Sequence, residues 1–177
     1  MYTAISIVLV VFFLLMNAFF VAAEFSIVRV RKSQIEMAVE EGKPGAKKAK
    51  IVTDNVNAYL SACQLGITLA SLALGWLGEP AVSAVLEGPL LALGLPESVV
   101  FPVCVAIGFA LITTLHIVVG ELIPKSLAIF STEKYALSSA PILAAFYHIT
   151  YPIMVLFNGI TNTVVKLMGH DPANEHE

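Results

Sequence analysis

Residues 4–23 read AISIVLVVFFLLMNAFFVAA, and this stretch decides the fold. Only Ser6 and Asn17 interrupt the apolar run. Because an α-helix of about 20 residues crosses the roughly 30 Å hydrocarbon core of a bilayer, the run predicts a membrane-spanning helix. No basic residue precedes it, and it is too long for the apolar core of a signal peptide. We therefore expect the helix to be retained.

The composition of the whole chain agrees with a membrane location. Of 177 residues, 58% are hydrophobic and 13% are charged, and the mean hydropathy is +0.84. Soluble domains usually carry about 25% charged residues. We therefore expect an all-α membrane protein. Cys63 and Cys104 lie in apolar runs without a CxxC or Cys/His pattern, so both are interpreted as packing residues.

The distribution of basic residues predicts the orientation. The apolar runs place three spans at about 4–24, 59–77 and 99–120. Seven of the ten Lys and Arg residues lie in the loop 29–57, the connection 79–98 has none, and three follow the third span. Positive residues collect on the cytosolic side. The pattern predicts a multi-pass protein of the plasma (inner) membrane, with its N-terminus outside and its C-terminus cytosolic.

The basic loop is expected to contain short helices. Helix-forming residues run over 33–41, the sequence Gly-Lys-Pro-Gly at 42–45 interrupts them, and a second short helix is expected to lead into the second span.

The segment 132–168 is apolar, but Pro141 and Pro152 interrupt it. Proline removes a backbone donor and disrupts a helix interior, so we expect a pair of juxtamembrane helices at the cytosolic interface. A fourth span is the alternative. In the three-span interpretation, residues 1–131 form the transmembrane core, 132–168 the juxtamembrane helix pair and 169–177 a polar linker.

Polar and small residues recur along one face of the second span. They follow at steps of three or four positions and are Asn57, Ser61, Gln64, Thr68, Ser71, Gly75 and Gly78. This spacing places them on one side of an α-helix. Such a face favours close packing of helices, whereas its oxygens can also replace part of an ion's hydration shell. Both interpretations stay open, and the second makes Gln64, Thr68 and Ser71 candidate cation ligands.

The third span ends in GELIPK, which begins at Gly120. Pro124 has no N–H to donate to the Gly120 carbonyl. A free carbonyl beside the Glu121 carboxylate predicts a site for a hard cation, since Mg²⁺ prefers oxygen ligands. Thr114 lies two helical turns earlier and is a further cavity candidate. The alternative is an interfacial Glu121 paired with Lys125 or with a basic loop residue.

The first span contributes Asn17 and Glu24 as cavity candidates, because a separation of seven residues places them on one helix face. An ion pair of Glu24 with Arg29 or Arg31 is an equal alternative. His116 is interpreted as a packing residue.

The sequence does not indicate an enzyme or a nucleic-acid-binding protein. His116 and Glu121 are five residues apart, which does not reproduce an HExxH helix, and no glycine-rich phosphate loop is present. No organic cofactor is expected. The basic loop contains acids and almost no aromatic residues, so topology explains its charge.

Three strings in the sequence resemble the CNNM/CorC family, whose membrane module is often called hemolysin-like. They are NAFFVAAEFS at 17–26, LSACQLGITL at 60–69 and VGELIPKS at 119–126. The resemblance covers essentially the whole chain. It implies a homodimer with three spans per subunit and a cytosolic belt of juxtamembrane helices. It also implies a C-terminal pair of nucleotide-binding CBS domains, so these residues are expected to be the isolated transmembrane domain.

The resemblance further implies Mg²⁺ export, driven by Na⁺ entry, through an inward-facing acidic cavity. The acids of that cavity fall on Glu121 and Glu24. Alternating access is expected to use Pro124, Gly66 and Gly75 as hinge positions. The rival hypothesis is a membrane-embedded Mg²⁺ sensor or regulatory scaffold that moves no ion.

Two departures from the family pattern concern the metal ligands. Val21 and Ala23 stand where many members carry serines, and Ile67 stands where many carry asparagine. The metal shell is therefore expected to differ, with Thr68, Ser71 or Gln64 as substitutes.

Overall fold

The computed structural model describes residues 2–168, and the regular elements in that range are all helical. The elements in chain order are α1 (Tyr2–Arg29), α2 (Lys32–Glu40), α3 (Ala46–Asp54), α4 (Val56–Ala92), α5 (Glu97–Leu115), a π-helix (His116–Leu122), α6 (Ile123–Phe130) and α7 (Thr132–Leu167). The predicted linker 169–177 lies outside the described residues.

Four helices are long and apolar enough to cross a membrane. They are α1, α4, the continuous rod Glu97–Phe130 formed by α5, the π-helix and α6, and finally α7. The three apolar runs lie within the first three. The chain is thus an all-α, multi-pass membrane domain. Three crossings, the dimer and the orientation stay predictions, because helix length and composition do not decide them.

The juxtamembrane pair expected over 132–168 is wrong in one respect, because a single helix, α7, fills this segment. Pro141 lacks the N–H that would bond to the Leu137 carbonyl. The backbone of Gly45 packs directly on this freed oxygen, so closely that a Cβ on Gly45 would overlap it. Prolines are tolerated inside helices where neighbouring segments contact the freed backbone groups. A contact distant in sequence therefore accompanies the continuation of the helix past Pro141.

Helix α1 is the centre of the bundle, because it contacts α4, α6, α7 and the π-helix, while α5 packs on α4. Two apolar cores lie along it. The loop-side core includes Phe20, Ile27, Ile35, Val52, Tyr59 and Leu143. The far-side core consists of Val10, Leu14, Leu74, Ala81 and Ile112. On α1, Asn17 lies between Leu14 of one core and Phe20 of the other.

The two short helices expected in the basic loop are confirmed as α2 and α3, with the interruption at 41–45. Helix α3 packs on α7. Lys43 Nζ lies 2.8 Å from Glu133 Oε1 and 2.9 Å from Glu41 Oε2. Two hydrogen bonds raise the pKa of Lys43 above its ordinary value: the bond to Glu133 has the larger effect, and the bond to Glu41 the next largest. Lys43 therefore remains charged and links the loop to α7.

Replacement of Gly45 by alanine should destabilise the contact between α3 and α7. Gly45 has a φ of +81°, and its Cβ would overlap the Leu137 oxygen. Overpacking of this kind costs about 1–3 kcal/mol beyond the backbone strain. Gly42→Ala is the matched control, since Gly42 has a φ of +68° with no atom within 4 Å of the added Cβ. Thermal unfolding in detergent should show the larger loss for Gly45→Ala, and equal losses would contradict this packing.

Candidate functional site

The π-helix His116–Leu122 sets the geometry of the candidate site. In this element the backbone bonds run from residue i to i+5, as in the bond from the Ile123 N–H to the Val118 carbonyl. Residues five apart therefore lie one turn apart on the same face. His116 Nε2 lies 3.6 Å from Glu121 Oε1. In an α-helix, a separation of five residues would point these side chains in different directions.

Asn17 closes the site from the side of α1. Its side chain is fully buried, and its Nδ2 donates a hydrogen bond of 2.9 Å to the Gly120 carbonyl. This is the carbonyl that Pro124 was expected to leave free. The buried amide of Asn17 on α1 and the Gly120 carbonyl of the π-helix thus provide each other's hydrogen-bond partner. Gly120 permits the approach, because a Cβ there would lie 3.0 Å from Asn17 Nδ2 and from His116 Cδ2.

Ser71 joins α4 to the same group of side chains. Its Oγ lies 3.3 Å from Asn17 Oδ1 and 3.2 Å from His116 Nε2. A hydroxyl has one proton to donate. When Ser71 donates its hydrogen bond to Asn17, its oxygen accepts a hydrogen bond from the His116 Nε2–H, and that N–H also faces Glu121. We call Asn17, Ser71, His116, Gly120 and Glu121 the polar junction.

The structure brings together some of the predicted site residues and leaves others apart. Asn17, Ser71, Gly120 and Glu121 meet in the polar junction. Gln64 and Thr68 are exposed on α4, and the Thr68 hydroxyl donates to the Gln64 carbonyl at 2.8 Å. Thr114 is also exposed, and its hydroxyl donates to the Ala110 carbonyl at 2.8 Å. The two-turn relation between Thr114 and Glu121 assumed an α-helix, and the π-helix changes that register.

Glu24 lies outside the polar junction. It is half-buried on α1, and within residues 2–168 it forms no ion pair with Arg29 or Arg31. The expected alternative pairing of Glu121 with Lys125 is likewise not formed. Instead, the Lys125 ammonium lies 4.7 Å from the centre of the Phe25 ring. This cation–π contact gives Lys125 a partner on α1.

The predicted hinge positions differ in their surroundings. Pro124 is buried at the start of α6, directly after the π-helix. Helix α4 runs unbroken through Gly66 and Gly75. A Cβ on Gly66 would lie 2.5 Å from the Phe20 ring, whereas one on Gly75 would meet no atom within 4 Å. Gly66 is therefore a close-packing position, and hinge motion at all three positions stays a prediction.

Sequence reasoning missed His116, which connects Ser71 to Glu121. The available signal was the five-residue spacing between His116 and Glu121, upstream of a proline. That spacing is uninformative in an α-helix and places two residues on one face in a π-helix. Among residues 2–168, no group of three or more His, Cys, Asp and Glu side chains could hold a metal ion. The polar junction contains one carboxylate, that of Glu121.

Fold and site together define a multi-pass helical membrane domain with a polar junction between three helices. Residues 8–177 match the family model described as the cyclin M transmembrane N-terminal domain. The chain belongs to this family.

Curated relatives agree with this assignment. The chain is 41% identical over 175 residues to UPF0053 protein YrkA of Bacillus subtilis, covering 99% of this chain and 40% of YrkA. It is 44% identical over 172 residues to UPF0053 protein YhdT of the same organism, covering 97% of this chain and 37% of YhdT. It is 31% identical over 159 residues to the uncharacterized protein Rv1841c of Mycobacterium tuberculosis, covering 90% of this chain and 45% of that protein. The chain thus spans less than half the length of these relatives.

Replacement of Asn17 by alanine should destabilise the bundle. It removes the donor to the Gly120 carbonyl and the acceptor for Ser71, and an unsatisfied buried polar group costs about 1–3 kcal/mol. Thr114→Ala is the control, because its hydroxyl is exposed and bonds within its own helix. Thermal unfolding in detergent should separate the two variants. A melting temperature for Asn17→Ala equal to that of Thr114→Ala would show that the Asn17 bonds add no stability.

Proposed function

We propose that the chain is the membrane domain of a divalent-cation transporter that exports Mg²⁺ in exchange for Na⁺, and that the polar junction contributes to the cation path. In this proposal the chain works as a homodimer with three crossings per subunit. Helix α7 lies at the cytosolic interface, and the basic loop is also cytosolic. Family membership supports a role in divalent-cation transport.

One observation carries the proposal: His116 Nε2 lies 3.6 Å from Glu121 and 3.2 Å from Ser71. His116 and Glu121 belong to the rod Glu97–Phe130 and Ser71 belongs to α4, and both helices are long and apolar enough to cross a membrane. Ionisable groups at membrane depth are costly and usually mark ion pathways. The same junction presents a carboxylate, a hydroxyl and an amide oxygen. These are the oxygen ligands that Mg²⁺ prefers.

The roles of the individual groups follow from their chemistry. Glu121 supplies the negative charge, and its exposure leaves room for the waters that Mg²⁺ usually retains. Ser71 Oγ and Asn17 Oδ1 supply neutral oxygens. His116 Nε2 contacts both Glu121 and Ser71, so it holds the carboxylate and the hydroxyl close to each other. Exposed Gln64 and Thr68 extend the polar surface along α4 and would line the path in a homodimer.

A liposome experiment tests transport directly. The chain is reconstituted with a Mg²⁺-sensitive dye inside the vesicles, and a Na⁺ gradient is applied across the membrane. Transport predicts a dye signal that depends on the protein and on the gradient. Mg²⁺ binding with no flux would contradict transport and would favour the sensor.

Glu121→Gln should weaken Mg²⁺ binding by at least about tenfold, because an amide lacks the charge that a hard cation requires. The substitution keeps the size of the side chain, so the fold should persist. Glu36→Gln is the matched control, since Glu36 is an exposed carboxylate on α2, away from the polar junction. Calorimetric titration with Mg²⁺ measures both variants. An equal affinity for Glu121→Gln and the wild type would exclude Glu121 from the site.

A further inference from the structure

An open cleft of about 990 Å³ lies where α1 ends and α7 begins, apart from the polar junction. Three cationic side chains line it: Arg29, Arg31 and Lys134. Arg29 is in the last turn of α1, Arg31 precedes α2, and Lys134 is in the first turn of α7. Two helices and the residue that precedes a third therefore bring positive charge to one cleft.

The charge of the cleft is not balanced by neighbouring acids. Glu133 also lines the cleft, but its Oε1 lies 2.8 Å from Lys43 Nζ. Within residues 2–168, Arg29, Arg31 and Lys134 form no ion pair with a carboxylate. Lys43 thus neutralises the acid of the cleft and leaves an excess of positive charge.

The remaining lining suits a phosphate group. Arginine presents paired donors in the planar geometry that matches phosphate oxygens. Ser131 and Gln34 add neutral polar groups to the same wall. A cleft rich in guanidinium and ammonium groups favours a phosphate ester over a cation or an apolar ligand.

An exposed apolar surface adjoins these charges. Phe130 lines the cleft and is 86% exposed. Leu127, one turn earlier on α6, is 44% exposed. This apolar surface leads from the cleft along the rod that is long enough to cross a membrane. A ligand with a phosphate at one end and hydrocarbon at the other matches both surfaces.

We propose that the cleft binds the phosphate headgroup of an anionic phospholipid, with Arg29, Arg31 and Lys134 on the phosphate and Phe130 against an acyl chain. Basic pockets between membrane helices recognise such headgroups on the cytosolic side. That side is where the positive-inside rule places the loop. The inference does not depend on Mg²⁺ transport, and the lipid site needs no cation.

The test uses the full chain in phosphatidylcholine nanodiscs that contain spin-labelled phosphatidylglycerol. The measured quantity is the affinity of the motionally restricted labelled lipid. Arg31→Gln/Lys134→Gln should lower it at least about fivefold, since one basic residue near the membrane surface is worth about that factor. Lys48→Gln/Lys50→Gln removes the same charge from exposed positions of α3 and should leave it unchanged.

A charge-conserving variant, a single variant and a soluble competitor serve as controls for the lipid measurement. Arg31→Lys/Lys134→Arg keeps the charges and should retain lipid binding. If the double glutamine variant fails to fold, Lys134→Gln alone replaces it, because this side chain is exposed. Equal losses in both glutamine pairs would indicate diffuse attraction and overturn the proposal. Displacement of the labelled lipid by millimolar soluble glycerol phosphate would instead identify a site for free phosphate and overturn the lipid assignment.

Discussion

The fold depends on one constraint: a backbone polar group inside a bilayer has no water to bond with, so the protein must provide its partner. Pro124 withdraws a donor from the rod, and the chain responds with a π-helix before Pro124 and an amide from α1. The 2.9 Å bond from Asn17 Nδ2 to the Gly120 carbonyl joins the two helices at the point between the apolar cores. Ser71 then attaches α4 to the same amide. The hydrogen bond from Asn17 that satisfies the Gly120 carbonyl therefore also holds the polar junction together.

A second proline marks a close contact of α7 with the basic loop. Pro141 frees the Leu137 carbonyl, and the backbone of Gly45 approaches it where only a glycine fits. Lys43, two residues before Gly45, bonds to Glu133 at the start of α7. The basic loop is thus attached to the last helix by the packing of α3 on α7, by the Gly45 contact and by one ion pair. If α7 lies along the interface, movement of either element would be transmitted to the other.

Sequence reasoning succeeded where the cause was local. Apolar runs predicted the long helices, the Gly-Lys-Pro-Gly stretch predicted the division between α2 and α3, and Pro124 pointed to the Gly120 carbonyl. It failed where the cause was a distant contact or a change of helical period. The prolines of α7 were expected to divide it, since the contact of Gly45 with Leu137 cannot be read from either segment alone. The π-helix changes which side chains share a helix face. It brings His116 next to Glu121, and it breaks the α-helical spacing that would have placed Thr114 on the same face as Glu121.

The proposed site for a divalent cation lies beside the polar junction, between Ser71 and Glu121. The most direct measurement is a structure of the chain with Mn²⁺ in place of Mg²⁺, located by anomalous scattering. We predict a peak within coordination distance of a Glu121 carboxylate oxygen, on the side of Ser71. A peak confined to the acidic cleft lined by Glu79, Glu87 and Glu97, with none at Glu121, would contradict it.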